Sequence, residues 1–244
     1  MKRVLPAIAL LLISSSAFAW TRSGDERIAR KAGQLAPPDL RILIERFEPE
    51  YKQGQARAQS DEGSESHRNF AQGGRLRERI ERETNATIAM IRSGQPMSSV
   101  VEQLGVLSHF VADANNPFHT VNDDPNLEAS HHDYEQYFER RLAKFPTVFY
   151  GLDRNFRLGP YLDRTIQRTS RFYPLMREEY FRFGTRRSSQ EFDDRSTAFG
   201  IASICYSRAV SDVVNLYYYI WRQAGGDVRS ATLMRGSNLI LNAN

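Results

Sequence analysis

The stretch Ser98-Ser-Val-Val-Glu-Gln-Leu-Gly-Val-Leu-Ser-His-Phe-Val-Ala-Asp-Ala-Asn115 governs the reading of this chain. Its apolar residues recur at three- and four-residue spacing, which predicts a helix, and Asn116-Pro117 breaks it. His109 and Asp113 are four residues apart, so on a helix they project from one face and can share a metal ion. Gly105, one turn earlier, leaves room beside them. His119 follows just past the break, where the turning chain can bring it back to the same place. His131 and Glu135 then repeat the four-residue spacing.

The same periodicity extends outward in both directions, and alternating, strand-like runs are scarce, so the expectation is an all-α, single-domain multi-helix bundle. Residues 23–35 form the first expected helix. Pro37-Pro38 starts a second that runs to about Tyr51, and residues 54–66, rich in Gln, Ser and Gly, read as loop. His67 opens a long helix to Ile91, which Ser93-Gly94-Gln95-Pro96 ends. Residues 120–130 are a polar connection before a helix from His131 to about Lys144, and residues 146–160 read as loop. Two further helices are expected at 161–183 and 193–223, closed by Gly225-Gly226. Residues 198–221 are apolar, but Arg208 and Asp212 lie within them, which favours a buried core helix over a membrane span.

The N-terminus reads as a bacterial-type secretory signal, residues 1–19. Lys2 and Arg3 precede an apolar run from Val4 to Ile13, and Ala17-Phe18-Ala19 supplies a cleavage site. Cleavage would leave Trp20 as the mature N-terminus, in a secreted or periplasmic protein. The helical domain then spans residues 20–226, and residues 227–244 form a polar tail. The formal charge of +4 includes Lys2 and Arg3, so the processed chain is only mildly basic, too little to identify an anionic partner. Cys205 is the single cysteine, so no intrachain disulfide is possible, and its apolar surroundings predict a buried thiol.

Imidazole, carboxylate and open water positions suit zinc, which in catalytic sites keeps a coordination place free. Ser-His-Phe-Val-Ala-Asp-Ala-Asn-Asn-Pro-Phe-His at 108–119, followed by His-His-Asp-Tyr-Glu at 131–135, resembles the zinc-dependent phospholipase C and single-strand-specific nuclease superfamily. The signature of that family is His-x3-Asp-x5-His and then His-x3-Glu or His-x3-Asp, and all five positions match. The resemblance covers at least Trp20 through Glu135.

This resemblance implies up to three Zn2+ ions in three ligand sets: Asp61, His67, His109 and Asp113; His119, His131 and Glu135; and Trp20, Asp25 and Asp113. In the family the mature N-terminal Trp binds through its amino group and carbonyl. Asp25 stands where the nuclease branch has a histidine, and equally suits a helix-start charge. His67 in Glu-Ser-His-Arg-Asn-Phe is the counterpart of a family histidine. Asp61 is the candidate for the preceding aspartate and for the residue that orients or deprotonates the attacking water, although its six-residue separation from His67 is shorter than the family pattern. Glu62 and Gln59 are alternatives. His132, adjacent to His131, is expected to support the site or face solvent.

The implied activity is phosphodiester hydrolysis by metal-activated water. Glu135, the short connection from His119 to His131 and the lack of disulfides are similar to the phospholipases, which makes phospholipid the expected substrate. Trp20-x3-Gly24-Asp25 is more similar to the nucleases, for which the substrate would be single-stranded nucleic acid. The arginine and aromatic residues between Arg171 and Arg187 could grip phosphates or stack bases, or form a solvated face over buried aromatics. A third possibility is a non-catalytic, zinc-stabilised envelope protein.

Overall fold

The computed structural model describes residues 20–61, 64–69, 74–121, 124, 126–228 and 239–241. The proposed signal, residues 1–19, and much of the tail lie outside the described residues, as does Glu62. The fold is all-α. Its helices are α1 (Arg22–Gln34), α2 (Pro38–Arg46), α3 (Glu48–Gln59), α4 (Ser64–His67), α5 (Leu76–Arg92), α6 (Met97–Asp113), α7 (Leu127–Arg141), α8 (Leu158–Ser170), α9 (Tyr173–Tyr180) and α10 (Thr197–Gln223). A short antiparallel ribbon joins β1 (Thr147–Phe149) to β2 (Leu239–Leu241), with Val148 opposite Ile240. No helix among the described residues is long and apolar enough to cross a membrane.

Helix α6 is the axis of the bundle, with α1, α3, α5 and α10 packed around it. From Val100 to Asp113 every residue except Glu102 is buried, the pattern of a helix enclosed on all sides. Leu104, Leu107 and Phe110 are fully buried, and side chains of this kind contribute roughly 1.5–3 kcal/mol each. Before α6 the chain turns at Gly94, whose φ of +70° lets Gln95 N–H donate to the Met90 carbonyl at 3.0 Å and closes the end of α5.

Several boundaries differ from the sequence reading. Residues 54–59, expected as loop, continue α3, because Gly54 is a contact residue rather than a breaker. A Cβ there would sit 1.9 Å from the Glu102 carbonyl oxygen, and one on Gly105 would sit 2.1 Å from that of Tyr51. Backbone therefore meets backbone where α3 crosses α6. The room at Gly105 is filled by α3 rather than left beside the metal ligands.

His67 ends the short α4 instead of opening α5, which begins at Leu76. The helix expected at 161–183 is two helices, α8 and α9, since Pro174 lies in the first turn of α9. Helix α7 starts at Leu127, ahead of His131, and residues 147–149 are strand within the expected loop.

Helix α10 buries Cys205 and Asp212. The Asp212 carboxylate accepts hydrogen bonds from Tyr161 Oη at 2.5 Å, Arg168 at 2.9 Å, Asn115 Nδ2 at 3.0 Å and Thr165 Oγ1 at 3.2 Å. This satisfied charge ties α8 and α10 to the C-terminal end of α6, next to Asp113.

Candidate metal centre

Four backbone segments deliver the ligand candidates to the C-terminal half of α6. Helix α6 itself carries His109 and Asp113 on one face; α4 brings in His67; the turn Pro117–His119 brings His119; and α7 brings His131 and Glu135. The turn is held by Asn116, whose side chain accepts from Phe118 N–H at 3.0 Å, a local bond that Asn before Pro favours. Apart from Glu135 and His67, at 5% and 6% exposure, these side chains are almost wholly buried.

His67, His109 and Asp113 form a group whose ligand atoms all lie within 4.8 Å of one another, and it could hold a metal ion. His67 Nδ1 is 2.8 Å from Asp113 Oδ2, His109 Nε2 is 3.2 Å from His67 Nδ1, and His109 Nε2 is 3.5 Å from Asp113 Oδ2. The second nitrogen of each ring has its own partner. His67 Nε2 donates to the Asp61 carbonyl at 3.2 Å, and His109 Nδ1 donates to Asp25 Oδ2 at 2.8 Å. With those protons placed outward, the inner atoms of His67, His109 and Asp113 face one another, an arrangement that could hold a cation.

The buried Oδ1 of Asp113 has no hydrogen-bond partner, so this carboxylate retains a second free ligand atom. Burial disfavours a charged His109, yet Asp113 and Asp25 outweigh it and raise its pKa to about 9. The field that holds a proton there also favours a metal cation. Burial raises the Asp25 carboxyl to about 6 against the pull of His109.

A second set lies beside the first. His131 Nε2 is 3.0 Å from both His119 Nε2 and Glu135 Oε1, and Glu135 Oε1 is buried without a hydrogen-bond partner. His119 Nδ1 donates to the His67 carbonyl at 2.5 Å, which links the two sets through α4. Burial, His131 and Arg68 hold His119 well below the ordinary imidazole range, the neutral form that a metal requires. Phe118 stacks parallel to His131, 5.9 Å away, and Phe110 packs 5.1 Å from His67, so apolar walls enclose both sets.

The remaining candidates are placed differently. The Asp61 carboxylate is about a third exposed and pairs with Arg79 at 2.8 Å, while its carbonyl serves His67. Gln59 reaches the Trp20 carbonyl at 3.5 Å. The Trp20 indole is fully buried and donates to the Ala112 carbonyl. Asp25 faces His109. His132 is exposed and sits 3.0 Å from Gln136.

Arg79 was not foreseen from the sequence. It binds Asp61 and Glu83 and lies 4.7 Å over the Phe110 ring. Its one sequence signal is the four-residue spacing to Glu83.

The arginines between 171 and 187 are largely engaged. Arg177 binds Asp124, Arg182 and Arg187 bind Glu179, and Arg186 reaches the Ala129 carbonyl, while Tyr173 and Tyr180 are buried. Compared with protein-family models and with curated proteins, the chain matches none.

Proposed function

We propose that this protein is a secreted or periplasmic zinc-dependent phosphodiester hydrolase of the phospholipase C and single-strand nuclease superfamily, with phospholipid as its substrate. One observation carries the reading: the five signature residues converge with His67 into two neighbouring buried groups, one with ligand atoms of His67, His109 and Asp113 mutually within 4.8 Å, and one with His131 Nε2 3.0 Å from both His119 Nε2 and Glu135 Oε1. Zinc bonds to nitrogen and oxygen of about 2.0–2.2 Å put neighbouring tetrahedral ligands roughly 3.4 Å apart, in keeping with these spacings. The unpartnered carboxylate oxygens of Asp113 and Glu135 leave a ligand atom in each set.

In this reading His67, His109 and Asp113 would hold one zinc, and His119, His131 and Glu135 another. Bound zinc lowers the pKa of water and neutralises charge on phosphoryl oxygens. Asp61, paired with Arg79 and partly open to solvent, is the residue proposed to orient the attacking water or accept its proton. Phe110 and Phe118 keep bulk water from the ligands, which strengthens every charge interaction within. Cleavage after Ala19 would place the chain outside the cytoplasm.

The test is hydrolysis of phosphatidylcholine vesicles and of single-stranded DNA by the processed protein, each with added zinc and with chelator. Zinc-dependent release of phosphocholine supports the proposal. Zinc-dependent cleavage of DNA alone moves the substrate to nucleic acid. Zinc binding without hydrolysis of either overturns the catalytic reading in favour of a structural metal.

A further inference from the structure

Asp25 lies on α1, far in sequence from the histidine it touches. Its Oδ2 is 2.8 Å from His109 Nδ1, and both side chains are buried. Its backbone is held as well, since Gln55 Nε2 on α3 donates to the Asp25 carbonyl at 3.1 Å. Asp25 stands outside the group of His67, His109 and Asp113, whose ligand atoms are mutually within 4.8 Å. Trp20, which would share a metal with it through its amino group and carbonyl, has that carbonyl 3.5 Å from Gln59 Nε2.

We infer that Asp25 is a positioning residue for His109, fixing its ring so that Nε2 faces His67 and Asp113, and is not a ligand of a third metal. This inference rests on the zinc reading above. A carboxylate can only accept, so a proton of His109 sits on Nδ1, leaving the lone pair on Nε2 for a metal. Such carboxylate–histidine pairs orient the ring and raise its basicity as a ligand. The same bond is made by His67 and His119 to backbone carbonyls. His109 alone among these three uses a side chain for it. With Asp25 used in this way, the centre holds two zinc ions.

The test is zinc stoichiometry and affinity, measured on the purified chain by competition with a chromophoric chelator, for the unsubstituted protein, Asp25→Ala and Asp25→Asn. The expected result is two zinc ions in all three. Asp25→Ala should weaken the affinity of one site by about 10- to 100-fold. Asp25→Asn, whose amide oxygen still accepts from Nδ1–H, should restore most of it. The visible spectrum of the Co2+-substituted protein should change in Asp25→Ala and stay close to the original in Asp25→Asn.

Three zinc ions in the unsubstituted protein with two in either variant would overturn the inference, as would an affinity and spectrum indifferent to Asp25→Ala. Should Asp25→Ala fail to fold, the isosteric Asp25→Asn decides alone: retention of both ions supports the positioning role, and loss of one refutes it. Two zinc ions with these effects but no hydrolysis would leave the inference standing and remove the proposed activity. A chain that binds no zinc would overturn both.

Discussion

The indole Nε1 of Trp20 donates to the Ala112 carbonyl at 2.8 Å, fastening the segment before α1 to the residue beside Asp113. The ring is fully buried, with Phe138 4.1 Å away. Trp20→Ala should cost about 3–5 kcal/mol, the usual loss for a large aromatic removed from a core. Trp20→Phe should cost less, because the packing is largely kept. Equilibrium urea unfolding of the two variants checks this, and equal midpoints for Trp20→Ala and the parent would contradict it.

Asp113 contacts both imidazoles of the first set. Asp113→Ala is therefore expected to lose bound metal and to reduce phosphodiester hydrolysis to background. Metal analysis by mass spectrometry and a turnover assay on one preparation would read both effects, and normal turnover would refute the site assignment.

Metal removal should also lower stability, because an ion bound only by the folded chain adds about 2.7 kcal/mol at a hundredfold excess over its dissociation constant. Chelation should thus depress the Tm of the parent protein more than that of Asp113→Ala, which keeps only the His119, His131 and Glu135 set. Equal shifts in the two proteins would show that the ion sits elsewhere.

Gly105 allows α3 and α6 to meet backbone to backbone, and a methyl group there would lie 2.1 Å from the Tyr51 carbonyl oxygen. Gly105→Ala raises helix propensity yet should destabilise the protein, by about 1–3 kcal/mol or more, since backbone cannot rotate aside. Thermal unfolding would reveal the sign: a Tm at or above that of the parent would mean the crossing is looser than a 2.1 Å approach implies.

Burial pushes the Cys205 thiol from 9.0 up to about 12, and Tyr51 is likewise pushed to about 12. Between pH 9 and 12 the unfolded chain releases the Cys205 proton while the folded chain keeps it. Stability contributed by this group is therefore complete below pH 9 and declines above it, by up to about 1.4 kcal/mol per pH unit. Cys205→Ala should flatten the alkaline slope of the urea midpoint. An unchanged slope would mean that the thiol does not titrate differently on folding.

The all-α class, the buried character of α10 and the central helix were legible because the period of apolar residues is a local property of the chain. The ends of helices were less so. Gly54 carries the same local signal whether it breaks a helix or touches a neighbour, and only the α6 backbone 1.9 Å from its missing Cβ decides between them. Pro174, in the first turn of α9, likewise separates two helices that one periodic run had suggested were continuous.

Within the candidate centre, four-residue spacing placed His109 with Asp113 and His131 with Glu135, since helix geometry alone brings such pairs together. The chain could not reveal which ring nitrogen faces inward, that Asp25 turns to His109, or that Asp61 lends its carbonyl to His67 and its carboxylate to Arg79. Those partners come from α1, α4 and α5, and no local pattern encodes their meeting. The sequence determined which residues can carry metal chemistry; the packing of α1, α3, α4 and α7 around α6 decided which atoms face one another, because that depends on contacts between segments far apart along the chain.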